Sequence, residues 1–106
     1  MAEQSSRLDK LRQMLETKPG DPFLLYAIGL EYKKLKDAKS AIEFLDRTIQ
    51  HDWGYCYAYY QKGLILQESG DVEGAKRALA EGLDAARRKG DQHAASEISA
   101  ALELLG

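Results

Sequence analysis

The chain has 106 residues, of which 44% are apolar and 30% are charged, and its formal net charge at pH 7 is -2. This length suits one small domain, and the composition is that of a globular rather than a disordered protein. No long basic stripe is present for nucleic acid, and no apolar run approaches the ~20 residues of a membrane span. We therefore expect neither a nucleic-acid nor a membrane partner. The N-terminus lacks the apolar core of a signal peptide, so we expect a cytoplasmic location.

Apolar residues at intervals of three and four predict three helices in the first half of the chain. The first helix covers 6–17 and places four apolar side chains on one face: Leu8, Leu11, Met14 and Leu15. Asp21 caps a second helix over 22–35, which begins with a proline, where a missing N–H group costs nothing. Asp37 caps a third helix over 38–51.

Three more helices are predicted in the second half. The fourth helix covers 55–68 and ends at Gly70, which suits a left-handed C-terminal position. Asp71 caps the fifth helix, 72–88, and a further aspartate opens the sixth, 91–104. No segment shows the alternation of a strand, so we predict an all-α fold of about six helices. The loops of only a few residues predict antiparallel helical hairpins.

Small and apolar residues recur 34 positions apart along the chain. The recurring pairs are Gly29 and Gly63, Ala41 and Ala75, and Leu45 and Leu79. Self-similarity at this period predicts a solenoid of helix pairs. We expect the glycines to lie where paired helices cross, with the leucines filling the gap between successive helices. Lys36 stands where Gly70 stands one repeat later, which predicts a less relaxed first hairpin turn.

Two stretches resemble the signature of the tetratricopeptide repeat (TPR) family, Trp-x-x-Leu-Gly-x-x-Tyr and then Ala-x-x-x-Phe. They read Leu25-x-x-Ile28-Gly29-x-x-Tyr32 then Ala41-x-x-x-Leu45, and Tyr59-x-x-Lys62-Gly63-x-x-Leu66 then Ala75-x-x-x-Leu79. The resemblance implies an α-solenoid in one domain, 1–106. Its parts are a half-repeat helix (6–19), two repeats (22–54 and 56–89) and a capping helix (91–105). The capping helix has lost the register, because Glu97 stands 34 positions after Gly63.

The TPR resemblance implies a scaffold that binds a peptide or protein segment on its concave side, which the first helix of each pair lines. The groove residues expected there are Phe23, Tyr26, Leu30, Lys33, Lys34, Tyr57, Tyr60, Leu64, Gln67 and Glu68. Exposed patches rich in tyrosine mark binding surfaces. Two alternatives stay open: the tyrosines pack as ordinary core with wet hydroxyl groups, and the charged residues form a solvated face.

One TPR subclass clamps the C-terminal carboxylate of chaperone tails with Lys, Asn and Arg. Here Tyr26, Leu30 and Gln61 stand at three of those positions, and the sixth helix has no Lys or Arg. The resemblance therefore argues against a chaperone tail and favours a segment with apolar anchors.

The sequence carries no pattern for catalysis or for a cofactor. It lacks a GxGxxG loop, a phosphate-binding loop and an HExxH motif, and Cys56 has no Cys or His at a zinc-like spacing. We expect no enzyme, no cofactor and no metal. The alternative function is self-association through the first and sixth helices, the latter with Ile98, Leu102 and Leu105. A monomer is favoured over a homodimer.

Overall fold

The computed structural model describes the backbone of residues 2–106 and side chains from Ser6 onward. This part of the chain forms six α-helices and no strand, which confirms the predicted all-α class. The helices are α1 Ala2–Thr17, α2 Pro22–Lys34, α3 Ala38–His51, α4 Cys56–Glu68, α5 Val72–Lys89 and α6 Gln92–Leu104. The predicted bounds agree to within a residue or two, except that α1 begins at Ala2 rather than Ser6.

The helices form two compact units. Unit 1 runs to Asp52 and contains α1, α2 and α3; unit 2 covers Trp53–Gly106 and contains α4, α5 and α6. In unit 1, α2 packs along α3 and also contacts α1. In unit 2, α5 packs against both α4 and α6, and α4 also contacts α6. The single-domain organisation expected from the sequence stays a prediction.

Aspartate side chains begin four of the helices, as predicted. An oxygen of each carboxylate accepts a hydrogen bond from a backbone N–H group of the first turn, two or three residues further on: Asp21 from Phe23, Asp37 from Ser40, Asp71 from Gly74 and Asp91 from Ala94. These bonds satisfy donors that a helix leaves without intrahelical partners. The helix bounds therefore follow from local chemistry.

The turns inside the two helical hairpins share one geometry. The N–H group of Asp37 donates to the Tyr32 carbonyl at 3.0 Å, and that of Asp71 donates to the Leu66 carbonyl at 2.9 Å. This closure requires a left-handed residue just before the aspartate. Gly70 supplies it with φ 88°, whereas Lys36 adopts φ 64° despite its side chain. The strained first turn expected from the sequence is confirmed.

The repeated glycines lie where paired helices approach each other. A methyl group on Gly29 would lie 3.2 Å from Cγ of Leu45, and one on Gly63 would lie 2.7 Å from Cγ of Leu79. Both leucine side chains are fully buried. The crossing predicted from the 34-residue period is therefore confirmed, and it is tighter in unit 2.

The core of unit 1 holds a buried carboxylate among apolar side chains from all three helices. Its buried apolar members are Leu8, Leu11, Leu24, Leu25, Ile28 and Phe44. Glu31 is 3% exposed, and its Oε2 lies 2.8 Å from Nε of Arg7 and 3.2 Å from Nζ of Lys34. The two cations offset the cost of burying this charge, and the contact with Arg7 ties α1 to α2.

Met14 departs from its predicted position in the core. The sequence placed it on the packing face of α1, but its side chain is 53% exposed. Leu8 and Leu11 are buried and Leu15 is half-buried, so they already supply the contact with α2. The buried apolar face of α1 is thus narrower than the pattern of its apolar residues predicts.

Gly63→Ala is expected to destabilise the protein by about 1–2 kcal/mol. The added methyl group must displace Leu79, and overpacking of a core costs typically 1–3 kcal/mol, against up to about 1 kcal/mol gained in helix propensity. Gly29→Ala, with more space, should change stability less. Urea unfolding followed by circular dichroism measures both. When Leu79 is also replaced by Ala, Gly63→Ala should no longer lower the free energy of unfolding. If it still does, the contact between residues 63 and 79 is not the cause of the destabilisation.

Lys36→Gly is expected to stabilise the protein by about 0.5–1 kcal/mol. A non-glycine residue in the left-handed conformation costs about 1–2 kcal/mol, and glycine avoids this cost. The greater freedom of glycine in the unfolded chain offsets part of the gain. Gly70→Lys is the matched reverse change, and its free energy of unfolding should fall. Thermal and urea unfolding measure the pair. A loss of stability in Lys36→Gly would mean that the lysine side chain contributes more than its backbone strain costs.

Candidate functional site

A cleft of about 320 Å³ lies between α4 and α6 in unit 2. The residues that line it are Tyr60, Leu64 and Gln67 of α4, and Glu97, Ala100, Ala101 and Leu104 of α6. Each set follows helical steps, so two stripes face each other across the cleft. The three α4 residues all belong to the groove expected from the sequence.

The cleft is accessible because α4 packs on α5 through a different face. Ala58, Tyr59 and Gly63 are buried, and a methyl group on Gly82 of α5 would lie 2.6 Å from Cβ of Tyr59. Tyr60 and Leu64 are half-buried. Leu104, on the α6 side of the cleft, is 86% exposed. Apolar surface therefore remains in contact with solvent after the core has formed.

Tyr57 joins α4 to α6 beside this cleft. Its hydroxyl group donates to Oε1 of Glu97 at 2.5 Å, and Nε2 of His93 lies 3.2 Å from the same oxygen. The rings of Tyr57 and Tyr60 meet edge to face, with centroids 6.1 Å apart. The hydrogen bond links α4 to α6, and the ring contact orients Tyr60 beside Tyr57 at the edge of the cleft.

The contact with Glu97 changes the acidity of Tyr57. The hydrogen bond to the carboxylate, with smaller contributions from desolvation and from nearby negative charge, raises the pKa of Tyr57 from 10.0 to about 12. The tyrosine therefore stays neutral and remains a donor throughout the physiological range.

Glu97 was not among the site residues predicted from the sequence. Its only signal was its place 34 positions after Gly63, where the repeat would have a glycine. Its contact with Tyr57 needs two helices 40 residues apart in the chain, which periodicity alone does not pair. Of the other predicted residues in unit 2, Glu68 is exposed and follows Gln67 at the end of α4.

The predicted groove residues of unit 1 form a stripe along α2. Phe23 is 63% exposed, while Tyr26, Leu30 and Lys33 are half-buried. Lys34 is exposed, and its ammonium group contacts Glu31. The joining of this stripe with the α4 residues into one groove stays a prediction.

The described residues contain no group of three or more His, Cys, Asp or Glu side chains arranged to hold a metal ion. Cys56 is buried, and its thiol lies 3.3 Å from the Gly54 carbonyl oxygen, to which it donates. Over the same part of the chain, no helix has the length and apolar character to cross a membrane.

The tetratricopeptide repeat model matches residues 24–50 and 57–89, together more than half of the sequence. The chain belongs to the tetratricopeptide repeat family. The two matched segments contain the α2–α3 and α4–α5 hairpins almost entirely. A TPR repeat-containing protein of Pseudomonas aeruginosa is 31% identical over 98 residues, which cover 92% of this chain and 93% of that protein.

Solved structures show the same TPR fold. A tetratricopeptide repeat domain protein from Salinibacter ruber superimposes with a TM-score of 0.77 at 29% identity, covering 82% of this chain and 88% of its own. PcrH, solved in complex with the chaperone-binding region of PopD, has a TM-score of 0.89 over 98% of this chain and 79% of its own. At 13% identity, the likeness to PcrH is one of fold alone. The TPR fold is typically a protein-interaction module.

Tyr57 is expected to titrate near pH 12, and Glu97→Gln should move its pKa back toward 10. Because the folded pKa lies above its ordinary value, the contact adds stability that is full below pH 10 and is lost as pH rises toward 12. Phenolate absorbance of the folded protein measures the titration. Tyr57→Phe is the control, since it should remove the late-titrating group and leave the others in place.

Proposed function

We propose that this TPR protein is a non-catalytic scaffold that binds a peptide or protein segment on its aromatic-lined surface. The α4–α6 cleft carries the proposal, because the half-buried Tyr60 and Leu64 and the exposed Leu104 border a space that the fold leaves unfilled. Its volume lies at the lower end of the range of about 300–1,000 Å³ typical of ligand sites. It accepts one or two apolar side chains, the anchors expected from the sequence.

Tyrosine and leucine suit this role. A tyrosine ring offers a large, rigid contact area with few rotatable bonds, so little conformational entropy is lost when a partner binds. Tyr60 is already fixed by its edge-to-face contact with Tyr57. The stripe of Phe23, Tyr26 and Leu30 on α2 is a second surface of this kind, in unit 1, that we propose also contacts a partner. The cytoplasmic location expected from the sequence stays a prediction.

A protein of the same fold supports a segment of another protein as the ligand. PcrH was crystallised with the chaperone-binding region of PopD. This supports a protein segment as the class of ligand here, and its sequence is left to experiment. The chaperone-tail clamp remains disfavoured, since Leu30 is a half-buried apolar residue at one of its polar positions.

Self-association is the second candidate function. A cavity of about 370 Å³ lies between α5 and α6, with Leu83, Ala95 and Ala100 among its lining residues. Small residues there would let a helix of a second copy approach closely. Sedimentation over a range of protein concentrations tests this candidate, because a dimer makes the sedimenting mass depend on concentration. A dimer through this face would also cover Ala100, which lines the α4–α6 cleft as well.

Selection of random linear peptides on the intact protein tests the proposed function. Tyr60→Ala should weaken the selected peptides about tenfold or more, since removing a central aromatic contact costs upward of 1 kcal/mol. Leu104→Ser should weaken them as well, without loss of stability, because Leu104 is 86% exposed. Fluorescence anisotropy with labelled peptides measures both affinities.

Val72→Ser is the matched control for this test. Val72 is also an exposed apolar residue of unit 2, but it lies at the start of α5 and does not line the cleft. Its substitution should leave affinity unchanged. Peptides that bind Tyr60→Ala and Leu104→Ser as tightly as the parent protein would overturn the proposed function.

A further inference from the structure

We infer that the α4–α6 cleft selects a cationic partner: a segment with a bulky apolar anchor and a Lys or Arg close to it in sequence. The inference rests on the proposed function and specifies the chemistry of the ligand at that site. It follows from the charges around the cleft.

The charged side chain in the cleft wall is acidic. Glu97 lines the cleft, and its side chain remains 43% exposed although Tyr57 donates to it. The phenol of Tyr57 is a neutral donor and adds no positive charge beside this carboxylate. Glu68, also exposed, follows the lining residue Gln67 at the end of α4. An approaching ligand therefore meets Glu97 at one end of the lining and Glu68, next to the α4 C-terminus, at the other.

Basic side chains lie elsewhere in unit 2. None of the described residues that line the cleft is Lys or Arg. Five of the six Lys and Arg residues of Trp53–Gly106 belong to α5: Lys76, Arg77, Arg87, Arg88 and Lys89. The sixth, Lys62, is two positions from Tyr60 and so points to nearly the opposite side of α4. Over the described residues, the cleft wall therefore has no Lys or Arg to offset its negative charge. The imidazole of His93, which is not a lining residue, lies 3.2 Å from Oε1 of Glu97 and is positive only when protonated.

The helix dipoles act in the same direction. Gln67 lies in the last turn of α4 and Leu104 is the last residue of α6, and both line the cleft. The C-terminal ends of two helices therefore meet at one end of it, each with a partial negative charge. Neither last turn has a basic residue, whereas those of α2 and α5 do. A cation of the ligand would supply the missing positive charge.

The apolar part of the ligand is specified by the same walls. Tyr60, Leu64 and Ala101 offer a half-buried apolar surface between Glu97 and the helix ends. A single large apolar side chain suits a space of about 320 Å³. A basic residue one helical turn or one strand step from this anchor reaches either acidic end. An acidic segment would meet repulsion at both ends, which makes the cleft selective by charge.

The peptides selected on the intact protein provide the first test. Binders should be enriched in Lys and Arg next to a bulky apolar residue and depleted in Asp and Glu. Glu97→Gln should weaken a labelled binder about fivefold, the size of one partly exposed ion pair. It keeps an oxygen that can accept the Tyr57 hydrogen bond. Replacing the basic residue of the peptide by Gln should cost as much, and the two changes together should cost little more than either.

Glu103→Gln is the control, because it removes the same charge from the same helix at a residue that does not line this cleft. It should leave affinity unchanged. Binders that depend on Tyr60 but show no basic preference, and no effect of Glu97→Gln, would overturn this inference and leave the proposed function standing. Binders indifferent to both Tyr60 and Glu97 would overturn both. If Glu97→Gln and Glu103→Gln weaken binding equally, the effect comes from the net charge of the protein. That result would also overturn the inference.

Discussion

The close approach of a glycine on one helix to a buried leucine on the next is the contact on which each hairpin depends. Gly29 faces Leu45, and Gly63 faces Leu79, with no room for a further methyl group at normal contact distance on Gly63. Tyr60 and Leu64 lie on another face of α4, where both are half-buried and Tyr60 packs against the core of unit 2. Part of this apolar face therefore stays in contact with solvent beside the tight crossing.

The sixth helix turns that surface into a cleft. At Glu97 it has a carboxylate where the preceding repeats have glycine, and that carboxylate bonds Tyr57 across the gap to α4. The same residue adds negative charge next to the apolar lining of Tyr60, Leu64 and Ala101. One departure from the repeat therefore gives the site both its link to Tyr57 and its acidic character.

The sequence predicted the parts of the structure that local chemistry determines. Aspartate caps, the left-handed Gly70 and Lys36, and the glycine crossings depend on neighbours or on a fixed period, and all were found where expected. Side-chain partners between helices distant in the chain were not predicted. Glu31 is buried beside Arg7 and Lys34, and Glu97 accepts a hydrogen bond from Tyr57; neither contact had a signal in the sequence. Met14 reads as core, but neighbouring leucines already fill that contact.

Trp53 is the only tryptophan of the chain and belongs to unit 2, where the guanidinium carbon of Arg88 lies 4.8 Å from its ring centroid. Indole emission therefore reports the loss of the Trp53–Arg88 contact within unit 2, while backbone helicity reports both units. Repeat proteins are stabilised by terms within repeats and terms between neighbours, and their cooperativity depends on the balance. In this protein the two signals can be followed without an added label. Their thermal transitions coincide if the two units unfold together, and they occur at different temperatures if each unit unfolds separately.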